Sequence, residues 1–156
     1  MIEETTEQLI SQVKSAQEQL SALLESVADD QDWQPDPGQW SFRYIAAHLA
    51  TVDKECYRDR VVRIAAGENP YFESYFNTGR DFSQFDLRDS LHEWAVTRQE
   101  IVNLVRALPE EKWSFIGTHA TFGKLTVLDV LRMMHDHDQE HIQDLHQVLG
   151  GYSTKT

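Results

Sequence analysis

Cysteine is almost absent from this chain: Cys56 is the only one in 156 residues. A lone thiol excludes an intramolecular disulfide, so nothing here demands an oxidising compartment. Basic residues are scarce too, with 14 Lys+Arg against 26 Asp+Glu and a formal net charge of −12. A surface of that sign repels phosphate backbones, which argues against a nucleic-acid binder and against docking on an anionic membrane. No apolar run approaches the roughly 20 residues needed to cross a bilayer. The opening MIEETTEQLISQ lacks a basic stretch followed by an apolar one, so it does not read as a secretory signal. These absences predict a cytoplasmic protein. Repeats with solenoid periods are also missing, as is strand alternation over any useful length.

What remains is an ordinary globular composition, 40% hydrophobic and 26% charged, in a length that fits one domain over residues 1–156. Four segments carry helical periodicity. Leu9, Val13, Ala16, Leu20, Leu23 and Val27 mark the first, which ends near Ala28 before a loop rich in Pro and Asp. Ser41 is placed to cap a second helix running from about Phe42 to Ala66, with Gly67 just past its end. Gly67 to Asp86 breaks the pattern with Gly, Pro and Asn, yet its Tyr and Phe residues are too apolar for a free linker. Such a span predicts a crossover, joining helices that run parallel instead of forming a tight hairpin. Asp86 with Asp89 caps a third helix, which Pro109 stops. The stretch EEKWSFIGTHATFGKL has room for a short hairpin, and Thr126 with Asp129 then opens a fourth helix expected to end at Gly150 and Gly151, with YSTKT frayed beyond it. The fold class is therefore all-α, a four-helix bundle.

The fourth helix holds the most informative residues, MMHDHDQEHIQDLHQV. At about 100° per residue, His137 and His141 share an arc of about 80° with Val127, Val130, Met134, Leu145 and Val148, while His135 and His146 project to the opposite side. Two histidines at i and i+4 stack their imidazoles within reach of one ion. Hydrogen-bonded core histidines are the blander reading. Yet each unpaired buried polar group costs roughly 1–3 kcal/mol, and a metal satisfies both rings at once. In the second helix His48 lies on the inward face with Ile45, Leu49 and Val52. Alone it reads as a hydrogen-bonded core residue; with His137 and His141 it completes the ligand count of a site that keeps a position open.

Two familiar motifs fail. HDQEH spaces its histidines like the zincin motif, but Asp138 stands where the general-base Glu belongs. Glu140 is not part of a repeated Glu-x-x-His set, so a di-iron carboxylate bundle does not fit either.

The order Trp40-Ser41, His48-Leu49, a long crossover, the G-T-H-x-x-F-G-x-L-T run from Gly117 to Thr126, and the H-D-x-x-H of His137 to His141 resembles the DinB-like superfamily over about residues 5–149. The resemblance implies an up-down-down-up bundle and a zinc or nickel ion on the residues matching His48, His137 and His141, with iron also compatible with imidazole ligands. It implies a thiol-dependent S-transferase acting on a small electrophile, and a homodimer through an outer bundle face. Alternatives are a metal-dependent hydrolase of a small substrate, a metal-binding stress protein without turnover, and a plain helical scaffold.

Other polar residues complete the expectations. Arg98 interrupts the apolar stripe of the third helix: turned inward it needs an anionic partner, a carboxylate of the substrate or of the protein, while the favoured reading has it snorkel to the surface or pair with a nearby Glu. His119 reads as an exposed loop histidine, with a place at the mouth of a pocket as the alternative, and Cys56 as an inert buried thiol. Asp144 is either an acceptor for an imidazole N–H or a solvated residue at the edge of the helix face. Tyr71, Phe72, Tyr75 and Phe76 are expected to pack the crossover against the bundle, with an apolar lid above a site as the alternative.

Overall fold

A computed structural model describes residues 4–153. Its helices are α1 (Glu4–Glu25), α2 (Phe42–Val52), α3 (Arg58–Ala65), α4 (Leu87–Arg106) and α5 (Val127–Ser153). α2 and α3 form one continuous rod joined by a π-helical turn, Asp53–Tyr57, so the bundle has four rods. The caps sit where the sequence places them. Ser41 accepts from the Tyr44 N–H, Asp86 from the Asp89 N–H, and Thr126 and Asp129 bond each other reciprocally. Gly67 ends α3 in the left-handed region at φ +77°, which costs a glycine nothing.

Contacts along the rods give their directions. Arg43 near the start of α2 bonds the Phe85 carbonyl just before α4, and further along Arg58 pairs with Glu100, so these two rods run parallel. α1 opposes α4, because Glu25 pairs with Arg88 and Glu7 with Arg106. Residues of the first turns of α1, such as Gln8, border Arg132 of α5, whereas Tyr152 near the end of α5 packs on Trp33 beyond the end of α1. The order is up-down-down-up, with the crossover linking the two parallel rods.

The crossover is not free chain. Strand β1 (Tyr71–Phe72) pairs in parallel with β2 (Gly117–His119), which pairs antiparallel with β3 (Gly123–Leu125). The small sheet fastens the crossover to the hairpin before α5 and sets His119 opposite Phe72.

Three expectations are corrected. α5 does not stop at Gly150 and Gly151 but runs through them to Ser153, because Tyr152 packs edge-on against Trp33 and Phe42 and holds the last turn. Residues 154–156 of the tail lie outside the described residues. Arg98 neither snorkels nor pairs with a Glu: it is 2% exposed and bonds Asp53 and Asp138. His119 is not an exposed loop residue, being 3% exposed at the end of β2.

The apolar core falls into two clusters. One gathers Leu9, Val13, Val52, Ile101 and Met134; the other gathers Leu20, Phe42, Leu49, Trp94 and Ile142. Between them lies a polar waist. Arg98 donates to both Asp53 oxygens at 2.8 and 2.9 Å, to both Asp138 oxygens at 2.8 and 3.3 Å, and to the Val13 carbonyl at 2.6 Å. All five guanidinium N–H donors are used, and one side chain touches every rod.

Candidate metal centre

The waist also carries His48, from α2, and His137 and His141, one turn apart on α5. Their ring nitrogens converge: His141 Nε2 lies 3.2 Å from His48 Nε2 and 3.1 Å from His137 Nε2. One nitrogen from each ring lies within 4.8 Å of the other two. Two nitrogens bound tetrahedrally at the usual zinc–imidazole length stand about 3.3 Å apart, so these separations match ligands of a single small cation. His48 is buried while His137 and His141 sit at the margin of the α5 core face, which Asp138 and Ile142 continue.

A hydrogen-bond chain fixes which nitrogen His48 offers. Thr51 donates its hydroxyl hydrogen back to helix carbonyls, at 2.9 Å to Ala47. It therefore accepts from the Asn77 amide at 2.7 Å, and Asn77 gives a further 3.3 Å contact to Tyr75, whose own hydroxyl donates to Glu55. With its NH2 so committed, Asn77 turns its carbonyl oxygen to His48 Nδ1, 2.6 Å away. His48 Nδ1 must carry the hydrogen, leaving a lone pair on Nε2 aimed at the other histidines.

Burial keeps the rings neutral. It pushes His137 down to about 3, helped by the neighbouring His141 and His48, and His141 down to about 4, helped by His48. Burial lowers His48 as well, against the Asn77 hydrogen bond. A neutral imidazole is the ligating form. Without an ion the arrangement is frustrated, because a single hydrogen on His141 Nε2 serves only one of its two nitrogen neighbours. A cation at the centre satisfies all three lone pairs, so the donor set fits a divalent metal.

The cluster opens on a cleft of about 380 Å³, with His48 and His137 in its wall. Asn77, Arg60 and His119 supply further polar groups, and Phe76 and Phe122 are apolar neighbours. Trp40 shields the other side, its ring 4.7 Å from that of His48 and 6.3 Å from that of His141. Tyr75 and Phe76 line the cleft, while Phe72 is core and Tyr71 is exposed. Cys56 lies in the cleft wall, 6% exposed, with burial pushing its thiol up to about 11, which makes it a poor nucleophile. Asp144 is exposed and borders a separate hollow beside His141 and Trp40. Asp138, at the zincin general-base position, points to Arg98.

Sequence reasoning missed Asn77, Arg60 and the buried state of His119. Periodicity gives no signal for Arg60: in an unbroken helix it lies about 120° round from His48. The π turn inserts a residue and takes back about 100°, returning Arg60 to the cleft side.

The sequence model of the DinB superfamily matches residues 12–145, a span holding all three histidines. Among solved structures, YfiT from Bacillus subtilis aligns with a TM-score of 0.76 and 21% identity, over 96% of this chain and 91% of its own. That protein is described as a probable metal-dependent hydrolase with an unusual four-helix bundle topology; at this identity the likeness bears on the fold. No curated protein matches this chain. Family model, bundle topology and fold likeness agree, and the chain belongs to the DinB superfamily.

Proposed function

We propose that His48, His137 and His141 hold one divalent ion, zinc or nickel, and that the protein is a metal-dependent S-transferase joining a small thiol to an electrophile. The observation that carries this reading is the convergence of three neutral imidazole nitrogens, at 3.1 and 3.2 Å, on the wall of an accessible cleft. An ion bound there supplies Lewis acidity and favours the thiolate form of a coordinating thiol.

The protein's own groups do the rest. Asn77 and Thr51 hold the His48 ring in one tautomer and one orientation. The apolar walls at Phe76, Phe122 and Met133 take the organic part of a substrate and limit water around it. No carboxylate of the described residues stands among those lining the cleft, so a general base of that type is not supplied there. That favours transfer by a nucleophile whose proton leaves on binding.

A second reading, hydrolysis of a small substrate at the same ion, draws on the fold likeness to YfiT. The two separate on whether turnover requires added thiol. The underlying test is elemental analysis of the purified protein and its His137→Ala variant. Near-stoichiometric zinc or nickel in the parent, lost in the variant with the helical circular dichroism unchanged, is expected. A parent that takes up no ion after incubation with zinc would remove the proposal.

A further inference from the structure

The chain has nine arginines, and eight of them have a carboxylate oxygen within 4 Å: Arg43, Arg58, Arg63, Arg80, Arg88, Arg98, Arg106 and Arg132. Among the described residues, Arg60 is the exception. It is also, with Arg98, one of two that are buried, at 5% exposure. In a protein carrying 26 acidic residues, an unpaired guanidinium is not explained by any lack of partners. Its hydrogen bond is a 3.3 Å contact from Nη2 to the Glu73 carbonyl, and its plane is steadied by the Phe72 ring, 5.3 Å away. The remaining donors have no acceptor among the described residues, and the side chain stands in the wall of the cleft that His48 and His137 share. The residue is 5% exposed, yet its free donors are not sealed from the cleft, so a guanidinium without a counter-charge here suits an anionic group that arrives with a ligand.

His119 adds a second donor. The backbone N–H groups of Thr121 and Phe122 point at its Nδ1, at 2.9 and 3.2 Å, so Nδ1 is the acceptor. Burial first, and the Arg60 charge second, hold the ring below its ordinary range. The neutral ring then carries its hydrogen on Nε2, and no acceptor meets that N–H among the described residues. None of the other residues lining the cleft is an Asp or Glu, and its titratable neighbours bring no negative charge at neutral pH, because burial pushes Tyr57, Tyr75 and Cys56 upward.

We propose that Arg60 and His119 form the subsite for a carboxylate of the substrate, in the same cleft that the histidine cluster borders. The substrate class is then a small acid: a carboxylate on Arg60, an apolar body against Phe122 and Met133, and the reacting group toward His48 and His137. The location of the reacting group rests on the metal reading above, whereas the carboxylate subsite does not.

The test uses the full-length protein stripped of metal, with 3-phenylpropionate and the neutral 3-phenyl-1-propanol as probes, followed by calorimetry. The acid is expected to bind about tenfold tighter than the alcohol or better. In Arg60→Gln the preference should fall to about twofold or less, and Arg60→Lys should keep part of it because the charge remains. Equal binding of the two probes to the parent overturns the proposal whatever the variants do. Carboxylate preference in a protein that takes up no zinc leaves this subsite standing and removes the metal reading. Zinc uptake without any preference does the reverse.

Discussion

A histidine presents one basic nitrogen only when the other is committed elsewhere, and for His48 the commitment is to Asn77 at 2.6 Å. Removing that partner frees the ring to rotate and to place its hydrogen on Nε2, against the ligand direction. Asn77→Ala is therefore expected to weaken zinc binding by about 10–100-fold while the helical signal is kept, as read by competition with a chelating dye. Unchanged affinity would mean that packing by Trp40 alone orients the ring. At this scale the three histidines were legible, because helical spacing sorts inward from outward positions without knowledge of the fold. Asn77 was not legible, since it lies in the crossover and its partner is 29 positions away in the chain. Arg98 was visible as an outlier, but its two aspartates come from other rods, and no local pattern connects them.

Among the elements, the small sheet has the least freedom at Gly117. A Cβ there would come 2.8 Å from the Phe72 ring and 3.2 Å from both Ile64 and Pro70. Since Phe72 is buried, Gly117→Ala has to push β1 and β2 apart and is expected to cost about 1–3 kcal/mol, measured by urea unfolding. A midpoint equal to that of the parent would show that the sheet yields without cost. Helix starts were readable because a capping side chain and its target lie within one turn. The sheet was only half readable: the hairpin has its own turn residues, but β1 is two residues long and acquires its partner from beyond α4. The π turn left no trace in the periodicity, and that is why nothing in the sequence brought Arg60 to the cleft.

For the whole molecule, the crossover and the four rods followed from sequence, but the tie that joins them did not. Arg98→Met leaves the Asp53 and Asp138 carboxylates buried without a counter-charge, and is expected to destabilise the bundle by about 3–5 kcal/mol. Burial already holds Asp138 up at about 6, above the ordinary carboxylate range, in spite of Arg98. A raised folded-state value means that the native form binds this proton more tightly than the unfolded chain. The contribution to stability is fully present below about pH 4 and is lost as pH rises through 6. Urea titrations at several pH values should thus show the deficit of the variant largest at neutral pH and shrinking on acidification. A deficit independent of pH would assign the loss to packing alone. The up-down-down-up order has one more consequence. Because α1 and α5 run in the same direction, the start of the first rod and the end of the last lie at opposite poles of the molecule. α1, with 22 residues, is about 33 Å long. A circular permutant joining these ends needs a linker of roughly ten extended residues to travel the length of the bundle, where an alternating up-and-down bundle would close with a tight turn.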